Sequence, residues 1–304
     1  VLVTSSGAST RIEGAKLSDE EVERLMAGID IQKFADRGSQ EVRGYFELLQ
    51  NIFNSWPSIV FSESTIKHFH QELLKYVEKD HIHRGEYKKS ENKVEMIDEH
   101  GKRVRVLFDT APAYLTPKLM QELVEWTLEA LGQKKYHPIL VVGNFLVEFL
   151  NIHPFTDGNG RLSRILTNLL MLQSGYAYMP YVSHEKLVEA KKPAYYIALR
   201  KSQKTFNTDV EDLEPWLSFF CDIFLEQSRL ATDLMSTEQI ENVFSPKQLV
   251  VWEYLNKVTE ATPGEITTNT QVSRPTVNQI LTKLLKLKKI ERLGLGRSTR
   301  YRKV

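Results

Sequence analysis

Residues 137–152, "HPILVVGNFLVEFLNI", are apolar on nearly every side of a helix. A helix without a polar face must be enclosed, so this segment requires a bundle of other helices around it. The chain supplies them. "QEVRGYFELLQNIFNSW", "STIKHFHQELLKYVEK", "TPKLMQELVEWTLEAL", "EKLVEAKKPAYYIALRKSQ" and "EPWLSFFCDIFLEQSRLATDLM" all carry apolar residues at helical spacing. Trp216, Phe219 and Phe220 fall at such spacing and read as core. Ser18 followed by Glu21 forms a capping box, and Thr116-Pro117 opens another helix. One stretch breaks the pattern: Lys93–Phe108 alternates with period two on either side of Glu99-His100-Gly101, which predicts a hairpin. The expected fold is therefore mainly α, a helical bundle with a small β-hairpin.

The buried helix runs straight into "HPFTDGNGRLSR", residues 153–164, after which helical spacing resumes in "RLSRILTNLLMLQ". Gly158-Asn159-Gly160 thus lies where a helix begins. The first amides of a helix have no intrahelical partner, and the helix dipole favours an anion there. Glycines allow the positive φ values that curl amides into a nest, and let a phosphate come close to the backbone. Arg161 and Arg164 sit three apart on one helical face, and guanidinium forks suit phosphate oxygens. Asp157 can hold Mg²⁺, which commonly binds through one carboxylate, phosphate oxygens and water. His153 is a candidate base, and Phe155 anchors the loop in the core. The parts describe a polyphosphate site with a base beside it. A Walker loop is excluded, because G-x-x-x-x-G-K-[ST] occurs nowhere in the chain.

The stretch resembles the Fic motif, H-x-F-x-[DE]-G-N-G-R-x-x-R, at every fixed position. At about 5% per residue type, eight specified positions coincide less than about once in ten billion starting points. The resemblance extends over roughly residues 5–235, through the hairpin and the "AYYIAL" helix. It implies a protein adenylyltransferase. His153 would deprotonate a Ser, Thr or Tyr hydroxyl of a target protein, or of the enzyme itself. That oxygen would attack the α-phosphate of ATP, transferring AMP and releasing pyrophosphate. Asp157 would hold Mg²⁺, the amides of Gly158, Asn159 and Gly160 would bind phosphate oxygens, and Arg161 and Arg164 would grip the outer phosphates. The hairpin at 93–108 resembles the flap on which a target segment docks by main-chain pairing. Tyr195 and Tyr196 match the aromatic pair near the nucleotide base, although both also suit a core. Gly160 favours AMP transfer, since the related Doc phosphotransferases carry lysine there.

"STRIEG", Ser9 to Gly14, resembles the family's inhibitory motif, [ST]-x-x-x-E-[GN]. The resemblance implies that Glu13 pairs with Arg164 and takes the partner that the γ-phosphate needs. The bland alternative is a surface glutamate before a helix-ending glycine. Glu13 could also activate water, which would make the enzyme bifunctional or mainly de-AMPylating.

The tail has a different character. Residues 273–304 hold ten Lys or Arg against one acid, Glu291; a local +9 within a total of +1 leaves −8 elsewhere. Such asymmetry marks a separate module. Residues 245–304 read helix, short helix, helix, hairpin, as in a winged helix-turn-helix. Gly294 and Gly296 would mark the wing, with Arg297, Arg300 and Arg302 on its returning strand. DNA contact through 273–304 and protein docking, including a homodimer, both suit such a module. A DNA-binding regulator whose Fic domain only senses nucleotide is the rival to the enzyme, but sensing needs no base at His153. The expected organisation is an N-terminal helical region at 1–90 with the inhibitory motif, a catalytic core at 91–236, a linker at Thr237–Phe244, and the basic domain at 245–304.

Other classes drop out. No apolar run reaches the roughly 20 residues needed to span a bilayer. The start lacks the regions of a signal peptide, and because it is Val1 some preceding sequence is expected to be missing. Cys221 is the only cysteine, which excludes an internal disulfide and a cysteine-rich zinc site and suits a reducing cytoplasm. His81 and His83, two apart in a polar loop, do not make a metal site.

Overall fold

A computed structural model describes residues 1–28, 36–97, 103–206, 208–236, 245–286, 289–294, 296 and 299–303. The chain forms two compact units, Val1–Ala231 and Thr232–Val304.

The centre of the first unit is α6 (Pro138–Ile152), with Val142, Phe145, Val147 and Phe149 fully buried. Around it stand α3 (Arg37–Ser55), α4 (Glu63–Leu73), α5 (Thr116–Gln133), α7 (Asn159–Gln173) and α10 (Glu214–Ser236). The enclosure that the all-apolar sequence demanded holds from Val141 onward, while Leu140 in the first turn stays exposed; one core joins Tyr45, Leu49, Ile66, Phe145, Leu166, Trp216 and Phe224. Residues on both sides of position 90 share it. The indole N–H of Trp216 donates 2.8 Å to the carbonyl of Gly143, where a Cβ would stand 2.9 Å from Leu217, so α10 packs close at that glycine. The helical spacing over 185–203 belongs to two helices, α8 (His184–Ala190) and α9 (Lys192–Gln203). The break falls at Lys191, and Pro193, which has no N–H to donate, sits in the first turn of α9, where no intrahelical donor is needed.

The hairpin is β1 (Lys93–Ile97) against β2 (Arg103–Asp109), antiparallel, with Lys93 opposite Asp109 and irregularities after Val94 and Met96. Its turn, Glu99-His100-Gly101, lies outside the described residues.

The N-terminus holds the least expected element. Helix α1 (Leu2–Ile12) buries Ser5, Ser6, Gly7, Ala8, Ser9 and Thr10, a run of small and mostly polar residues. Burial without hydrogen bonds would be costly. Ser6 and Thr10 donate back to the carbonyls of Leu2 and Ser6 at 2.8 and 2.6 Å. Ser5 donates 2.7 Å to Glu185 of α8, a fully buried carboxylate that also accepts from Tyr45 and Asn168. Beyond it, α2 (Asp19–Met26) begins with the expected Ser18–Glu21 capping box.

The second unit contains α11 (Pro246–Lys257), α12 (Pro263–Thr270), α13 (Arg274–Lys286) and the antiparallel pair β3 (Ile290–Leu293) and β4 (Arg300–Lys303). It has its own core of Val251, Leu255, Ile266, Val277, Leu281, Leu284 and Ile290. Gly294 and Gly296, after β3, have φ of 73° and 62°, values that a side chain resists. The segment Thr237–Phe244 and Arg297 lie outside the described residues.

At Gly44 of α3, an added Cβ would run into the main-chain carbonyl of Leu73 at the end of α4. Backbone cannot swing away as a side-chain tip can. Gly44→Ala is therefore expected to cost about 1–3 kcal/mol, the usual range for overpacking, read as a lowered urea midpoint with an unchanged slope.

Candidate active site

His153 is the C-cap of α6 and adopts φ 51°, ψ 61°, a left-handed conformation in which histidine is more common than most residues. Its N–H still donates to the Phe149 carbonyl at 2.9 Å, which closes the helix and turns the chain abruptly. The side chain is partly buried, and Nδ1 lies 3.4 Å from the Leu150 carbonyl. A carbonyl can only accept, so this contact places the proton on Nδ1 and leaves Nε2 with its lone pair. Burial, with the Lys88 ammonium adding to it, pushes the His153 pKa down to about 4. The ring is neutral at pH 7 and able to take a proton.

Asn159 locks the loop that follows. The Phe155 N–H donates to its Oδ1 at 3.0 Å, and its Nδ2 donates back to the Phe155 carbonyl at 2.8 Å. Phe155 is fully buried, as its place in the motif predicted, and stacks on His70 at 3.9 Å between ring centres. His70, from α4, is a residue that sequence reasoning missed. Gly85 N–H donates 2.9 Å to its Nδ1, so Nε2 carries the hydrogen and donates 3.0 Å to the Asp157 carbonyl. Burial pushes its pKa down to about 4 as well.

The two glycines serve different ends. Gly158 caps α7 with φ 80° and ψ 0° and meets the expected need for positive φ. Gly160 has no positive φ; what it provides is space. The Glu13 carboxylate lies against the face where a Cβ would be, so any side chain at 160 would collide with it. An acidic group thus already sits at the unpaired amide end of α7.

The two arginines divide likewise. Arg164 is 4% exposed and bound entirely to α1: Nε donates to Ser9 Oγ at 2.7 Å, and Nη2 to the Ser9 carbonyl at 2.9 Å and Glu13 Oε1 at 2.7 Å. Its Nη1 is buried with no hydrogen-bond partner among the described residues. Arg161, 3% exposed, turns the other way, to Glu41 at 2.6 Å and Asp157 at 2.9 Å. Asp157 also accepts from Arg37, and the Arg161 guanidinium helps hold its carboxyl below the usual range. Arg37 and Glu41 of α3 carry no sequence signal beyond being charged residues at helical spacing. Asp157 remains 41% exposed at its side chain, and among the described residues no group of three acids, histidines or cysteines could cage a metal. That donor set fits Mg²⁺ only as an ion carried largely by nucleotide phosphates.

Tyr195 is 6% exposed and packs edge-on against Trp216 and Tyr196, while the Tyr196 hydroxyl donates 3.3 Å to the Ile12 carbonyl of α1. Gly14 ends α1 with φ 104°. One turn before His153 on α6 opens a cavity of about 580 Å³, bordered by Ala111, Trp126, Glu148, Asn151, Ile152 and Gln203. The side-chain amides of Asn151 and Gln203 are buried there with neither nitrogen nor oxygen hydrogen-bonded among the described residues. Burial pushes the Glu148 carboxyl up to about 7.

Residues 60–171 match the model of the Fic/DOC family. A protein of Aquifex aeolicus named "Probable protein adenylyltransferase" is 24% identical over 241 residues, spanning 76% of this chain and 68% of its own. The "Protein adenylyltransferase Fic" of Drosophila virilis is 33% identical over 104 residues, 34% of this chain and only 19% of that protein. The chain thus spans about two thirds of one relative and a fifth of the other. Among solved structures, a Fic family protein from Desulfovibrio desulfuricans superposes with a TM-score of 0.64 at 22% identity, covering 100% of this chain and 86% of that one. Fic-1 of C. elegans gives 0.59 at 22%, covering 77% and 63%. The fold is shared with both.

His70 makes the loop sensitive to acid. Its pKa lies near 4 when folded and near 6.5 when unfolded, so between these values the unfolded chain binds more protons and stability falls as pH falls. Unfolding free energy is expected to drop by up to about 1.4 kcal/mol per pH unit from this residue between pH 6.5 and 4, above the range where carboxylates take over. His70→Gln should flatten that part of the urea-midpoint profile.

Proposed function

We propose that the protein is an adenylyltransferase that moves AMP from ATP to a Ser, Thr or Tyr hydroxyl of a target protein, itself included, and that Glu13 holds it back. One observation carries the reading: a neutral His153, an amide-lined helix start and the buried Arg164 surround one small region, and the carboxylate occupying it comes from α1. A carboxylate there occupies the place of a phosphate.

The chemistry follows from the proton positions. With Nδ1–H turned to Leu150, the Nε2 of His153 takes the hydroxyl proton. The freed oxygen attacks the α-phosphorus, the bond to the bridging oxygen breaks, and pyrophosphate leaves with its electron pair. The amides at Gly158, Asn159 and Gly160 hold developing charge at fixed positions, which costs no reorganisation during reaction. The unpaired Nη1 of Arg164 supplies a donor for an outer phosphate. Asp157 would hold Mg²⁺, which when bound neutralises phosphate charge. Tyr195 and Tyr196 would lie near the nucleotide base, and the separate cavity beside α6 has the size of a small-ligand site. A target segment would lie along the β1–β2 hairpin by strand-like pairing. Relatives named as protein adenylyltransferases support the same activity.

Inhibition is a matter of one guanidinium with two anions to choose from. While Ser9 and Glu13 hold Arg164, a γ-phosphate lacks its partner and the nucleotide is not turned for in-line attack. With ATP labelled at the α-phosphate, Mg²⁺ and a cell extract, Glu13→Gly is expected to raise label on protein about 10- to 100-fold, as expected for one charge-assisted contact. Adding His153→Ala should lower labelling by about 10²- to 10⁴-fold relative to Glu13→Gly alone. Equal labelling by parent and Glu13→Gly would remove the brake, and labelling that survives His153→Ala would remove the base.

The second unit supports a further part of the reading, a winged helix that binds DNA. Helix α13 buries Val277, Ile280, Leu281 and Leu284 and exposes Arg274, Asn278, Gln279 and Thr282, side chains that pair with base edges in a major groove. A mobility-shift titration with duplex DNA should give an affinity that falls steeply between 50 and 200 mM salt. Binding unchanged in Arg274→Ala/Gln279→Ala would assign that face to protein docking instead.

A further inference from the structure

Lys88 lies between α4 and β1 and is 4% exposed. Its Nζ donates to three neutral oxygens: the Ile152 carbonyl at 2.9 Å, Thr110 Oγ1 at 2.8 Å and Asn92 Oδ1 at 2.8 Å. No carboxylate is among these partners, and burial pushes the ammonium down to about 8 against the weak pull of Glu91. Ile152 is the last residue of α6, where the carbonyls carry the negative end of the helix dipole and favour a cation. Asn92 immediately precedes β1, and Thr110 immediately follows β2, so they are the two roots of the hairpin. The network closes on the loop beyond α6: Asn92 Nδ2 donates to the carbonyls of His153 and Phe155 at 3.3 and 3.0 Å, and the Lys88 N–H to that of Pro154 at 2.8 Å.

We infer that Lys88 is a positioning residue that ties both roots of the β1–β2 hairpin to the His153 end of α6, so that one buried cation sets the base relative to the strand on which its substrate docks. The inference rests on the transfer reading above. Three hydrogen bonds alone would explain a pin but not a charge, since a buried ammonium without a carboxylate is expensive. The charge has a second effect here. Among the groups that act on His153, Lys88 favours the neutral ring, while Glu13 from α1 and Asp157 from the loop favour the protonated one. Without Lys88, Glu13 and Asp157 would act on the base unopposed, and in a Glu13→Gly chain Asp157 alone would do so.

The test uses the full chain with Glu13→Gly as the reference, and adds Lys88→Met or Lys88→Arg. Two quantities are followed: the His153 ring titration by nitrogen-15 NMR, assigned through His153→Ala, and kcat against pH with α-labelled ATP. Lys88→Met should move the His153 titration upward and carry the acid limb of kcat with it. At the optimum it should lose about 10²-fold in kcat, the scale of a displaced base, with KM for ATP within about twofold. Lys88→Arg, which keeps the charge, should leave the titration in place. A Met variant whose ring titrates as in the reference overturns the inference, as do Met and Arg variants that shift alike. Should Lys88→Met fail to fold, Thr110→Val, which removes one acceptor, must lower kcat with the acid limb unmoved; an unchanged kcat overturns the inference. If the reference transfers no label at all, the proposed function fails, while the NMR titration still decides the role of Lys88.

Discussion

The site depends on the need of a buried guanidinium for an anion. Arg164 stands inside the bundle on α7, held charged by its surroundings and unable to release its proton. A buried cation without a partner would cost several kcal/mol, more than a marginally stable domain can spare. The fold answers by bringing α1 across with Ser9 and Glu13. Gly160 follows from this, because the carboxylate needs the room that a Cβ would fill. So does the polar make-up of α1, whose narrow seat between α3, α7 and α8 admits only small side chains.

The architecture was legible where it follows from burial. A helix apolar all round has one solution, and α6 takes it; the period-two stretch could only be a hairpin, and it pairs in that way. The motif residues were legible as a group because their types are rarely combined. Their division of labour was not. Local spacing alone left the two glycines and the two arginines equivalent, and only the family resemblance singled out Arg164 as the partner of Glu13. In the structure Gly158 supplies a dihedral and Gly160 a space, while Arg164 binds Ser9 and Glu13 and Arg161 binds Glu41 and Asp157. Which way Arg161 turns depends on Glu41 of α3, far away in the sequence, and no local spacing encodes that partner.

His70 and Lys88 were hidden for a related reason. Each reads as an ordinary polar residue in its own segment, His70 within an amphipathic helix and Lys88 beside a second lysine. Only the fold shows that both are buried against the loop that bears the motif. Such residues act through backbone carbonyls, and a carbonyl has no letter in a sequence. The carbonyls and amides of the loop are held by the side chains of Asn159, His70 and Asn92, of which the motif contains one.

If Glu13 is the brake proposed above, the tethering of α1 has a consequence for how a nucleotide would bind. Glu13 is a ligand attached to its own receptor, and a short tether keeps such a ligand at an effective concentration on the order of millimolar. Under the proposed function, a nucleotide that reaches for Arg164 with its terminal phosphate would compete against that concentration, whereas one that ends a phosphate earlier would not. Linkage makes the relation mutual: whatever tightens the grip on the longer nucleotide loosens α1 by the same free energy. The Ser5–Glu185 contact, on the far side of the helix from the chemistry, then becomes one of the terms that set the apparent affinity for that nucleotide.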